Sequence, residues 1–198
     1  MASNRMTLMG ARHMVAAGHY LAAHAGFQIL EAGGNAIDAG VCAGICLGVL
    51  QPEKVNFGGV APIILYRASD RKLVSIDGLG VWPQGITPDY FQKNHAGKIP
   101  PGVLRSIVPA APDAWLTALE HYGTMSFGDV AAAAVRFAGE GFPMYPLMAE
   151  FIAEEIDAYR RWSATSAVFL PNGEPPKVGR MFVQSDLSRT IQYMIDQE

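Results

Sequence analysis

Histidines, a close cysteine pair and a run of carboxylates are the residues of this 198-residue chain whose types could do chemistry. His19 and His24 stand five apart. That spacing does not align two imidazoles on one helix face, as an H-x3-H zinc pair requires, so one half-exposed and one packed histidine are expected. Cys42 and Cys46 stand four apart within one apolar run. They share a helix face and lack a second ligand pair, which reads as buried, reduced thiols rather than a metal site or a staple. Glu150, Glu154, Glu155 and Asp157 interleave with apolar positions and precede Arg160 and Arg161, the pattern of a solvated helix face. There is no Gly-x-Ser-x-Gly elbow and no phosphate-binding loop, and Gly78-Leu79-Gly80 leads into Trp82-Pro83 rather than into a helix. Ser106, which follows Arg105 in the long loop, is a candidate to face a pocket, although a loop serine is more often a turn former.

The elements that must hold these residues follow from periodicity and punctuation. A helix is predicted over 16–32, with Leu21, Ala25, Ile29 and Ala32 on one stripe and Gly33-Gly34 as its stop. A second runs from about Asn35 to Leu50 and ends before Pro52. Its Gly40, Gly44 and Gly48 share one face, which predicts close approach by another backbone, because each glycine costs a helix roughly 1 kcal/mol. The apolar run 39–50 is too short for the ~20 residues of a membrane span, so a buried central helix is expected. Runs 62–67 and 73–77, joined by a polar turn, read as a hairpin. A proline-rich loop fills 78–112, and loops of that length line or cover sites. Four helices follow. The first starts at Pro112 and carries Trp115, Ala118, Leu119 and Tyr122. The second opens at a Ser126/Asp129 capping box and buries Val130, Ala133, Ala134 and Phe137. The third is marked by Met148, Phe151, Ile152, Ile156 and Tyr159. The fourth is capped by Ser185, with Leu187, Thr190, Ile191 and Met194 inward. It is still in stride at Glu198, so a truncated chain is expected. Helices, a hairpin and more helices make an α+β chain without a separate second domain.

Composition narrows the function classes. Charged residues are 17 %, apolar residues 50 %, and the formal net charge is −3. Disorder is excluded, and no basic footprint for nucleic acid or anionic membrane exists. No export signal is visible near the N-terminus, which makes the cytoplasm the expectation, or the periplasm if a leader has been removed. No cofactor or metal is expected.

Taken together, the stretch 22–39 (Ala22 through Gly33-Gly34-Asn35 to Ala39) closely resembles the opening of the γ-glutamyltranspeptidase family. Gln51-Pro52-Glu53, Gly58-Gly59, Ile76-Asp77, Tyr122-Gly123-Thr124, the run 138–143 and the run 169–176 match in order and spacing. The resemblance implies the front of the large subunit of an N-terminal-nucleophile (Ntn) hydrolase, part of an αββα sandwich made as a self-cleaving precursor. A threonine at the start of the small subunit would attack the amide, with its own α-amine as base. The chain's threonines are 7, 87, 117, 124, 165 and 190, none of them at a new N-terminus, so no catalytic residue is expected here. A small-subunit partner must supply the nucleophile, and the chain alone is expected to be inactive.

Two departures from the family pattern bear on specificity. Glutamyl-specific members end the hairpin in Asp, an aromatic and an Arg that grips the substrate α-carboxylate. Here the order is Asp77-Gly78-Leu79. Leucine cannot make that bidentate contact, worth about 1.5–3 kcal/mol. The glycine run is also shortened to Gly58-Gly59-Val60-Ala61. Asp77-Gly78-Leu79-Gly80, with Ser106 to Pro109 and Asp113-Ala114-Trp115, is more similar to the acylase and amidohydrolase relatives. Asp77, Leu79, Arg105 and Ser106 are therefore the expected substrate-binding residues, with Arg105 either supplying the missing cation or facing solvent as an ordinary loop arginine. The competing expectations are a true γ-glutamyltransferase and a non-catalytic scaffold.

Overall fold

Asn35 sets the start of the helix that the rest of the molecule surrounds. Its side chain accepts from the Ile37 and Asp38 amides, and the Asp38 carboxylate accepts from the Asn35 amide at 2.7 Å, a reciprocal capping box. In the computed structural model, which describes residues 7–198, this helix is α2 (Ala36–Leu50) and packs on α1 (Tyr20–Glu31). Val41, Cys42, Ile45, Cys46, Val49 and Leu50 are all buried, so α2 is the expected central helix. The α1 helix starts later than 16, because His19 is its N-cap and Nδ1 accepts the Leu21 amide at 3.2 Å. His19 is the packed histidine and His24 the exposed one.

The shared glycine face meets two different neighbours and an open space rather than one backbone. A Cβ on Gly48 would lie 3.2 Å from the Phe57 amide nitrogen, and one on Gly44 would lie 3.1 Å from Trp115 Nε1. A Cβ on Gly40 would meet nothing; that residue opens on a cavity of about 370 Å³ among α2, Ile63, Leu65 and Trp115.

The hairpin forms within a residue of its expected bounds, as β1 (Ile63–Arg67) and β2 (Lys72–Ile76), with Ile63 opposite Ile76 and Arg67 opposite Lys72. Alternation turns Leu65 inward, while Ile64, Tyr66 and Leu73 face outward with exposures of 76 %, 61 % and 72 %. The loop after it is not featureless. It contains α3 (Pro88–His95), opened by Thr87, whose hydroxyl accepts the Tyr90 amide, with Pro88 in the first turn.

The helix α4 (Ala111–Tyr122) buries Trp115, Ala118 and Leu119. The predicted Ser126/Asp129 capping box opens α5 (Phe127–Gly139), whose fully buried face is Val130, Ala131, Ala134 and Ala138, while Ala133 and Phe137 are only partly buried. After β3 (Phe142–Pro143) the expected single helix is broken into α6 (Pro146–Glu154) and α7 (Ile156–Arg160), because Glu155 leaves helical geometry at φ −106°, ψ 23°. The carboxylates there are exposed, as a solvated face requires. Then come α8 (Ser163–Phe169), β4 (Met181–Phe182), which pairs with β3, and α9 (Ser185–Asp196) on α5. Ser185 is the first residue of α9 and does not cap it. Gln184 holds the cap position, with its side-chain amide buried against the Val49 carbonyl at 2.8 Å. Thr190 faces solvent rather than the core.

One polar lock joins distant parts of this arrangement. The buried Asp38 carboxylate accepts the Thr124 amide (2.9 Å) and Met125 amide (3.2 Å) on Oδ1, and the Thr124 hydroxyl (2.6 Å) on Oδ2 beside the Asn35 amide. It ties the start of α2 to the α4–α5 turn. Among the described residues no helix is long and apolar enough to cross a membrane.

Candidate functional site

Three backbone segments meet at the start of α4, and hydrogen bonds rather than side chains hold them there. The Gly59 carbonyl accepts both the Ala110 amide (3.1 Å) and the Ala111 amide (2.9 Å). The Ala61 amide donates to the Gly78 carbonyl at 2.9 Å, and the Val108 amide to the Val81 carbonyl at 2.9 Å. So the glycine turn, the exit of β2 and the end of the long loop form one rim. Two glycines are required for this approach. Gly78 has φ +56°, and a Cβ on it would lie 2.2 Å from the Ala61 carbonyl oxygen. Gly80 has φ +72°, and its Cβ would lie 2.6 Å from the Val108 carbonyl oxygen.

Asp77 and Leu79 sit on this rim and are exposed, Leu79 to 51 %, next to the exposed Val81 and Val108. Ser106 lies two residues before Val108 on the adjoining segment, also exposed, and its amide closes a turn on the Val103 carbonyl. Arg105 is exposed, and its guanidinium is turned along its own loop, Nε and Nη2 reaching the Ile99 carbonyl at 3.4 and 3.3 Å. Of the expected binding residues, Asp77 and Leu79 sit on the rim, and the adjacent Arg105 and Ser106 lie on the segment that leads into it. The Arg105 side chain makes no hydrogen bond or ion pair to Asp77, Leu79 or Ser106 among the described residues.

The buried titratable groups Asp38, His19, Cys42 and Cys46 sit in structural settings. Burial pushes the Asp38 carboxyl up, but the Thr124 hydroxyl and the Asn35, Thr124 and Met125 amides outweigh it and hold the pKa below its usual value. Burial lowers His19, against the opposing charge of Glu53. Contact with Cys42 and burial push the Cys46 thiol well up, and both side chains are enclosed in the core. Among the described residues no three His, Cys, Asp or Glu side chains converge as a metal site would need. Sequence reasoning missed the role of the Gly59 carbonyl and of Asp38. The Asn35-to-Asp38 spacing signals the cap, but nothing local signals Thr124.

A family profile described as Gamma-glutamyltranspeptidase matches residues 22–198. The glutathione hydrolase proenzyme of Bacillus subtilis (strain 168) is 33 % identical over 196 residues, covering 92 % of this chain and 32 % of that protein. The acylase ACY 1 proenzyme of Pseudomonas sp. (strain V22) is 34 % identical over 194 residues, covering 92 % of this chain and 34 % of that protein. Among solved structures, Helicobacter pylori γ-glutamyltranspeptidase superposes with a TM-score of 0.89 at 26 % identity, over 98 % of this chain and 56 % of that one. The chain thus spans about a third of the length of these curated relatives and carries the matching part of the Ntn-hydrolase fold. By profile, sequence and fold alike, this chain belongs to the γ-glutamyltranspeptidase family.

Proposed function

We propose that residues 1–198 are the front of the large subunit of an amidohydrolase whose nucleophilic threonine comes from a second polypeptide segment. The observation that carries this reading is the outward face of the hairpin. Ile64, and Tyr66 paired across the strands with Leu73, are exposed beside the rim of Leu79, Val81 and Val108. A two-stranded sheet with apolar side chains on both faces needs a further layer to bury the second one. In the reaction, the threonine hydroxyl attacks the amide carbonyl as its own α-amine takes the proton. The amine leaves with that proton, and water then cleaves the acyl ester.

The chain's part is to bind and orient a small-molecule amide along the Asp77–Val81 rim. Leu79 offers no charge for an α-carboxylate, which supports non-glutamyl amides as substrates. Arg105 is the cation of this reading. Its two long bonds to one exposed carbonyl hold it weakly, so it can turn to a substrate carboxylate together with Ser106. In the intact enzyme, Arg105→Ala is expected to raise KM for carboxylate-bearing amides; an unchanged KM removes that role. A substrate panel tests the specificity, with glutaryl or oxamate-type amides expected to turn over faster than γ-glutamyl-p-nitroanilide. The reverse order favours the second reading, a true γ-glutamyltransferase or glutathione hydrolase, the latter being the name of the Bacillus subtilis relative.

A further inference from the structure

Away from the hairpin rim, a cavity of about 910 Å³ opens between α8, the turn 171–180 and the start of α9. Its apolar lining includes Val168, Pro171, Pro175 and the buried Phe182. Both of its walls are tied down. Arg160 donates to the Gly173 carbonyl at 3.1 Å and pairs with Glu174 at 3.6 Å, fixing one side. The Gly179 amide donates to the Met144 carbonyl and the Met144 amide to the Arg180 carbonyl, each at 2.8 Å, fixing the other.

The charges on this cavity are unequal in what they have left to offer. Glu174 is engaged by Arg160, and Asp186 by Arg189. Lys177 and Arg180 line the same cavity and have no carboxylate partner among the described residues. They sit three apart on one turn, closed by the Arg180 amide on the Lys177 carbonyl at 3.0 Å, so both cations issue from a fixed piece of backbone. Asn172 and Ser185 add neutral donors on the lining. An open cavity with apolar side chains on its lining and two uncommitted cations beside them fits a ligand that is apolar at one end and anionic at the other.

We infer that this cavity is a binding site for small amphipathic carboxylates, with Lys177 and Arg180 on the carboxylate and Val168 and Phe182 against the apolar body. The site is independent of the hairpin rim and of the reaction proposed there. The test is isothermal titration and amide-resolved NMR of the 198-residue chain with 4-phenylbutyrate, its neutral analogue 4-phenylbutanamide, and inorganic phosphate. Phenylbutyrate is expected to bind with shifts on residues 168–186, while the amide and phosphate bind at least tenfold more weakly. Lys177→Gln/Arg180→Gln is expected to weaken phenylbutyrate tenfold or more and to abolish its salt dependence. Both positions are exposed, so an unchanged melting curve certifies the variant's fold. Equal binding of acid and amide, binding unaffected by the double substitution, shifts elsewhere, or no binding at all would each overturn the assignment.

Discussion

Replacing Asp38 by Asn changes one oxygen of a fully buried side chain to an NH2 group and removes a charge. The carboxylate now accepts four hydrogen bonds, two on each oxygen. If the new NH2 takes the Oδ1 place, the Thr124 and Met125 amides both lose their acceptor. If it takes the Oδ2 place, only the Asn35 amide is orphaned, because the Thr124 hydroxyl can rotate to accept. The second arrangement is cheaper. It still costs one buried unsatisfied donor, about 1–3 kcal/mol, and the charge assistance of the remaining bonds, so a total of ~2–4 kcal/mol is expected. Against a typical domain stability of roughly 5–15 kcal/mol that is a large fraction. Urea unfolding followed by circular dichroism reads it as a lower midpoint at unchanged slope. The pH dependence gives a second, independent readout. The folded-state pKa of Asp38 is depressed, so its contribution is present above the unfolded carboxyl pKa of ~3.9 and is lost as pH falls through the folded value. Wild type is therefore expected to lose more stability than Asp38→Asn below about pH 4. A variant within about 0.5 kcal/mol of wild type, with the same acid limb, would refute the reasoning that Asp38 locks α2 to the α4–α5 turn.

Other parts of the structure give sharp expectations. Gly78→Ala places a methyl into the Ala61 carbonyl at positive φ, so it should lower the melting temperature clearly, whereas Gly40→Ala, facing open space, should raise it or leave it unchanged. His19 caps α1 only when Nδ1 is unprotonated, and burial lowers its folded pKa. Its contribution is thus complete above the unfolded value of ~6.5 and lost as pH falls through the folded value. His19→Asn keeps a capping oxygen and should flatten the stability profile as pH falls below about 6.5; an unaltered profile would contradict this role.

Much of the fold was legible where the signal is local. The Ser126/Asp129 box, the α2 run ending before Pro52, and the alternation in the hairpin each declare their element within a few residues. Thr87-Pro88-Asp89 carried an equally good helix start, but the surrounding prolines made the segment read as loop. The break at Glu155 has no Gly or Pro to announce it, and the apolar stripe runs on through it. At the rim, glycines 78 and 80 were visible as a pair, but what they approach, carbonyls at 61 and 108, is set by chain reversals that spacing does not encode. Leu79 was readable as a lost charge because the family pattern names the place. The orientation of Arg105 toward Ile99 was not, since an arginine's direction depends on the loop it lies in.

The central claim is that these residues shape a binding rim whose reactive hydroxyl arrives on another segment. Purified 1–198 should be assayed against the amide panel, alone and after reconstitution with a separately made small subunit beginning in threonine. Amide cleavage only in the reconstituted sample, accompanied by protection of Ile64, Tyr66 and Leu73 from hydrogen exchange, is the predicted result. Turnover by the 198-residue chain on its own would contradict the account.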